Sequence, residues 1–417
     1  MGYNYDIATS KKDGHANRGL GFCHTLAKAV DIFVSTFLIA HLYSFSTSAF
    51  DYCFKASLFE VIGYAVMLVV YFLASFLVAK TNRIWVYRLS LVMRAGVVLF
   101  SIFFGEQIAR YIWLAGLLEG FSKGFYWASY NVLKQEMVSR KSINKFAVFT
   151  YILRQSVNVI FPITVGALIE VSTFSQVAIY VFIICLLQIA VSFVVHAKKP
   201  ENSDFNIPDY WERLKANFPL YIKVKRAYNF SFIHGMTSVL STLISVCVML
   251  ECGSNLSLGA ITSVIAVAVI LFILSFNRFT KEGKRNWLYI LISLLPVVGS
   301  VIFIVNPNIV TVIIFNFCTE ICSALFKVQY DVFRNKDLKE AGLYQDIGEH
   351  QGIIEITLCF SRVLTFGLVC LLSFSNSQIL FNIMLIVFSI VYSINMLGIL
   401  IYERARIKDE EQNKNTN

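Results

Sequence analysis

Ten ionisable side chains fall inside apolar runs of this sequence: Asp31, Glu60, Arg94, Glu119, Lys123, Arg154, Glu320, Lys327, Glu355 and Arg362. At the depth of a lipid bilayer such a group costs at least about 2.5–3.5 kcal/mol, so each needs a partner or a wet cavity. Five are acidic and five basic, so internal pairing can neutralise the set. A site for a solute or a proton is the other reading of any member. The run around 109–132 is the most informative. Glu119, Lys123, Tyr126 and Tyr130 recur at i, i+4, i+7 and i+11, one stripe of a helix. Gly116, Gly120 and Gly124 repeat every four residues on a neighbouring face that suits close helix contact. One face is expected to pack and the other to bind. An intrahelical Glu119–Lys123 ion pair over aromatic packing is the alternative.

Other runs carry similar lines. Glu320, Lys327 and Asp331 stand at i, i+7 and i+11, while Asp31 and Ser35, and His234, Ser238, Ser241 and Ser245, form polar lines. Asp31 with Lys28 marks either a pathway or the membrane interface. His234 either titrates near neutral pH or bonds to a neighbouring helix. Arg154, Gln155 and Asn158 cluster within one turn, and Glu355 and Arg362 share a face. A guanidinium stays protonated and presents a planar fork to a carboxylate or phosphate. Arg154 and Arg362 therefore suit an anionic or zwitterionic solute, or else neutralise acids such as Glu119 and Glu355. Glu119 is the first candidate for a proton-coupling acid, with Lys123 or Arg154 as the modulating cation, and Asp31 is the second. Glu60 lies close to the outer end of its run and Arg94 midway along its own, where Arg94 reads as structural or as part of a charge relay.

The elements that position these groups follow from composition. The chain has 417 residues, 57% hydrophobic, 15% aromatic and only 15% charged, against roughly 25% charged in a soluble domain. That excludes a water-soluble globule. Apolar stretches near 27–50, 56–79, 86–104, 109–132, 145–170, 175–196, 227–250, 257–277, 287–306, 308–330, 351–374 and 377–402 predict twelve membrane-spanning helices. An all-α polytopic membrane protein in two six-helix bundles is expected, with a tail at 1–26, bundles at 27–196 and 227–402, a linker at 197–226 and a tail at 403–417. The first span reads as retained rather than as a signal peptide. Of 36 Lys and Arg, 28 fall in alternate inter-span segments. That bias places both termini in the cytoplasm, and the plasma membrane is the expected location. The linker contains a short amphipathic helix near 208–218, expected on the bilayer surface.

The net charge of +10 is distributed as topology rather than as a nucleic-acid face, so no nucleic-acid partner is expected. The nine cysteines show no metal-ligand spacing, and no metal or cofactor is expected. No P-loop, HExxH, GxSxG or GxGxxG motif occurs, so the chain reads as a non-enzyme driven by an ion or solute gradient. At an offset of 200, GFYWASYNVL (124–133) lies over ALFKVQYDVF (324–333), with Tyr130 and Val132 matching Tyr330 and Val332.

Twelve spans, a six/six split and a long basic central loop resemble the major facilitator superfamily of secondary transporters. The stretch SFLVAKTNRIWVYR (75–88) keeps only the cationic positions of that family's loop signature, and SVNVIFPITVGA (156–167) loosely resembles its Gly-Pro-rich exchanger motif. The resemblance implies two bundles that alternately open a central pathway lined by the first, fourth, seventh and tenth spans. It also implies a small-molecule substrate, a proton or other coupling ion, a lipid bilayer as surroundings and a monomeric protein. Drug efflux and lipid flipping are alternatives within the same fold.

Overall fold

A computed structural model describes residues 11–137, 143–196, 205–279, 285–340 and 347–415. Twelve long helices account for most of it. The first comprises Lys11–Ile32, a π-helical turn Phe33–Leu38, a short α piece Ile39–His41 and a 3-10 turn Leu42–Phe45. The next five are Ala49–Lys80, Arg83–Phe104, Ile112–Met137, Ile143–Val171 and Phe174–Ser192. After the short linker helix Ile207–Ala216 come Phe218–Cys252, Asn255–Phe279, Arg285–Val305, Ile309–Glu340, Ile347–Ser373 and Gln378–Asn415. They are numbered first to twelfth below.

Eleven of these are long and apolar enough to cross a membrane. The fourth has the length, 26 residues, but the polar stripe that includes Glu119 and Lys123 lowers its apolarity. Local chemistry sets several ends. The Ser48 hydroxyl accepts a hydrogen bond from the Asp51 amide at 3.1 Å, and Thr173 and Gln176 form a reciprocal capping box, satisfying amides that a helix start leaves unpaired. Outward faces are rich in exposed Val, Leu, Ile and Phe, such as Ile179, Ile183, Leu186 and Leu187 on the sixth helix. In a bilayer these are solvated surface.

Two sequence expectations change. The first helix begins at Lys11, within the expected tail, because Leu20, Cys23 and Ala27 are buried in a cluster with Tyr87, Tyr126, Tyr130, Phe146 and Val195. The linker helix also turns its apolar side inward. Tyr210 and Leu214 pack with Val224, Tyr228, Ile354 and Leu358, so the seventh and eleventh helices cover the face expected to lie on lipid.

Helix packing joins the two halves along two seams, second against eleventh and fifth against eighth. In the second seam a Cβ built on Gly166 would stand 2.5 Å from the Asn255 carbonyl, and one on Gly259 would run into the Pro162 carbonyl. Near the loops at the N-terminal end of the second helix, the Phe54 and Phe374 rings lie 4.7 Å apart and Phe50 and Phe381 6.5 Å apart. The halves are therefore in contact at that end.

Candidate functional site

The fourth helix brings its stripe against the second helix because its glycines let the backbones approach closely. A Cβ on Gly116 would meet the Phe59 carbonyl at 2.9 Å, and one on Gly120 the Gly63 carbonyl at 2.5 Å. This registers Glu119 and Lys123 beside Glu60 and Tyr64. Lys123 Nζ lies 3.1 Å from Glu119 Oε1, the intrahelical pair that the sequence left as an alternative. Lys123 also sits over the Tyr64 ring at 5.2 Å. From the other half, Arg362 stands over the same ring at 4.8 Å and donates from Nε to the Ser238 hydroxyl at 3.0 Å. Glu60, 5% exposed, is acted on by the charges of Lys123, Glu119 and Arg362. Two acids and two bases thus meet where the halves touch.

A second group belongs to the N-terminal half. Arg94 Nη1 is 3.0 Å from Asp31 Oδ1 and donates to the Ala27 carbonyl at 3.1 Å. Its guanidinium lies 4.5 Å from the centre of the Tyr126 ring. The Tyr126 hydroxyl is 2.6 Å from His24 Nδ1, and the Tyr130 ring stacks on His24 at 4.2 Å. Tyr126 and Tyr130 are therefore packing partners of a buried histidine. Arg94, expected to be structural or part of a charge relay, holds the candidate Asp31.

A third group is more open. Lys28 is acted on by the charges of Arg154, Asp31, Lys327 and Glu320, which come from the first, fifth and tenth helices. Lys28, Arg154 and Glu320 are half-buried and Lys327 is exposed. Among the described residues none of the four makes a direct ion pair. With Asp31 neutralised by Arg94, three cations face one acid.

The remaining candidates are dispersed. The Asn158 amide donates to Gln155 at 2.8 Å on its own helix. His234 contacts the Phe326 ring at 4.7 Å and Thr237 on its own helix. Glu355 is buried on the eleventh helix and acts on Arg362. The Asp331 side chain lies outside the described residues. Sequence reasoning missed His24 and Tyr64, and singled out Lys28 and Glu60 as charges without assigning either to the site. A signal for two of them exists: His24, Lys28, Asp31 and Ser35 stand at i, i+4, i+7 and i+11, the spacing that singled out the fourth helix.

No family model matches the sequence. The uncharacterized protein YqgE of Bacillus subtilis strain 168 is 26% identical over 282 residues, 66% of this chain and 64% of that protein. An uncharacterized protein "in sodM 3'region" of Geobacillus stearothermophilus is 34% identical over 86 residues, 19% of this chain and 40% of that protein. The chain therefore matches less than two thirds of the length of either. Solved structures align much more completely. The human organic anion transporter MFSD10 (TETRAN) aligns with a TM-score of 0.59 at 12% identity, over 93% of this chain and 99% of that one. A POT family transporter in complex with 5-aminolevulinic acid aligns with a TM-score of 0.61 at 9% identity, over 93% and 95%. The nucleoside transporter NupG aligns with a TM-score of 0.62 at 11% identity, over 93% and 99%. The chain is a multi-pass helical membrane protein with the fold of the major facilitator transporters.

Proposed function

We propose that the protein is a secondary transporter that moves a small anionic or zwitterionic solute across the plasma membrane by alternating access, with protons as the coupling ion. The moving parts are the bundles at 27–196 and 227–402, joined by the linker at 197–226 in a monomer with both termini cytoplasmic. The observation that carries this reading is the group formed by Lys28, Arg154, Lys327 and Glu320. Its charges come from both halves, lie half-buried or exposed, and make no direct ion pair among the described residues. In this fold, charges left open between two bundles are positioned to exchange partners with a solute. Three cations beside one acid fit carboxylate or phosphate groups, with Glu320 free to take an amine. Two of the solved structural relatives are an organic anion transporter and a transporter holding 5-aminolevulinic acid, a zwitterion.

The aromatic row Tyr126, Trp127 and Tyr130 would suit a lipophilic drug, but these rings are already packed on His24. That favours the polar solute. Reconstituted proteoliposomes with an imposed pH gradient, offered radiolabelled small carboxylates, phosphate esters and 5-aminolevulinic acid, test the reading. At least one should accumulate. Arg154→Gln should reduce uptake about tenfold or more, the effect of losing a charged hydrogen bond of about 1.5–3 kcal/mol. Movement only of lipid, or only of lipophilic cations, would overturn it.

A further inference from the structure

We propose that Glu60 is the proton-coupled latch between the two halves, a positioning residue that holds Arg362 of the C-terminal half against Lys123 and Tyr64 of the N-terminal half while it is ionised. The inference rests on the transport reading for its meaning, but its geometry stands apart from any solute. Tyr64 lies one turn beyond Glu60 on the same face of the second helix. Its ring carries Lys123 at 5.2 Å and Arg362 at 4.8 Å, one cation from each half. The Gly116 and Gly120 contacts lock the fourth helix to the turns of Phe59 and Gly63, so Glu60 and Lys123 cannot drift apart without unpacking the bundle.

The charged groups that act on Glu60 are Lys123 and Glu119 from the fourth helix and Arg362 from the eleventh. Its own helix adds the Tyr64 hydroxyl, and the seventh helix brings Ser238 to Arg362. Glu119 has its cation, at 3.1 Å. Glu60 has neither a hydrogen bond nor a direct ion pair among the described residues. It is thus the acid of this group that can take a proton without first breaking a salt bridge.

The charge balance supplies the switch. With Glu60 ionised, Glu60, Glu119, Lys123 and Arg362 sum to zero across the seam. A proton on the Glu60 carboxylate leaves a net charge of +1, with Lys123 still paired and Arg362 deprived of its acid from the opposite half. Glu355, seven residues before Arg362 on the same helix and already acting on it, is the acid to which Arg362 can turn. Two arrangements of one guanidinium, one across the seam and one within the eleventh helix, make a two-state element of the kind that rocking bundles require.

The test reads the seam directly and needs no solute. Amide exchange of the full chain in lipid nanodiscs is followed between pH 5.5 and 8.5, as protection factors for segments 57–66 and 355–366. In the unaltered chain, protection of both segments should fall as pH falls. Glu60→Gln should show the low-pH pattern throughout, and Glu60→Asp should keep a pH response with a displaced midpoint. If Glu60→Gln yields no folded protein, Glu60→Asp decides, and an unmoved midpoint there overturns the latch. So does a pH response that survives Glu60→Gln or disappears instead in Glu119→Gln, or a flat profile in the unaltered chain. Proton-driven solute uptake unaltered by Glu60→Gln would remove the latch and leave the transport reading. A Glu60-dependent profile without any solute movement would do the reverse.

Discussion

Arg94 shows how much one side chain can organise. It is 1% exposed, yet its guanidinium has Asp31 at 3.0 Å, the Ala27 carbonyl at 3.1 Å and the Tyr126 ring beneath it. The Asp31 side chain is 30% exposed but the Arg94 side chain only 2%, so removing the acid strands a buried charge, which costs up to about 3–5 kcal/mol. Asp51 and Lys55 are as close, at 2.7 Å, but their side chains are 26% and 19% exposed, and a pair open to solvent is worth about 0–1 kcal/mol. Asp31→Asn should therefore lower the melting midpoint of the purified protein by several degrees, while Asp51→Asn leaves it within about a degree or two. Equal shifts would mean that Arg94 finds another partner. At this scale the sequence was legible where a polar residue interrupted a long apolar run, as at Glu119, Lys123, Arg154 and Arg362. It was less legible for His24, because the residues before position 27 lack the apolar run that marks a span. Glu60 stood out as a charge, but what it meets is decided by the second helix packing across the seam, a contact that leaves no periodic mark.

Helix number and order were legible because twenty-residue apolar runs between cationic segments have little else to become. The π-helical turn Phe33–Leu38, two residues after Asp31, was not, since an inserted residue in a helix does not alter composition. The linker helix was read correctly as amphipathic, but its cover was not. Tyr210 closes on Tyr228 at 2.9 Å and on His350 at 3.1 Å, partners far along the chain. Glycine spacing on the fourth helix, by contrast, translated directly into contact with the second. That contact inverts an ordinary rule. Gly to Ala inside a helix normally gains up to about 1 kcal/mol, as expected for Gly96→Ala, where an added Cβ meets nothing within 4 Å. At Gly120 the same methyl would stand 2.5 Å from the Gly63 carbonyl and 2.7 Å from Val66 Cβ. Gly120→Ala should destabilise the protein and lower the yield of monodisperse material in size-exclusion chromatography, whereas Gly96→Ala should be neutral or stabilising. The opposite order would show that the helices can separate freely there.

For the whole molecule, the question is whether the contact between halves opens in use. The fifth and eighth helices meet so closely that a Cβ on Gly166 would lie 2.5 Å from the Asn255 carbonyl and 3.1 Å from the Leu256 Cα. Among the described residues two hydrogen bonds cross this seam: the Leu256 amide donates to Glu170 Oε1 at 3.3 Å, and the Ser263 hydroxyl accepts from the Ile163 amide at 3.2 Å. Gly166 and Gly259 let the backbones approach, so the seam is held largely by shape with few directional bonds, which suits a contact that must break and reform. The native cysteines give little interference, because seven of the nine are buried and among packed neighbours. A bridge between Ile163→Cys and Ser263→Cys, where the native hydroxyl lies 3.2 Å from the Ile163 amide, should therefore form under mild oxidation and hold the two halves closed along this seam. Solute exchange by proteoliposomes carrying the oxidised double variant should fall about tenfold or more, and a reductant should restore it. Each single variant should respond to neither treatment. Exchange that continues with the bridge formed would mean that the halves do not part along this seam, and that alternating access, if the protein uses it, runs elsewhere.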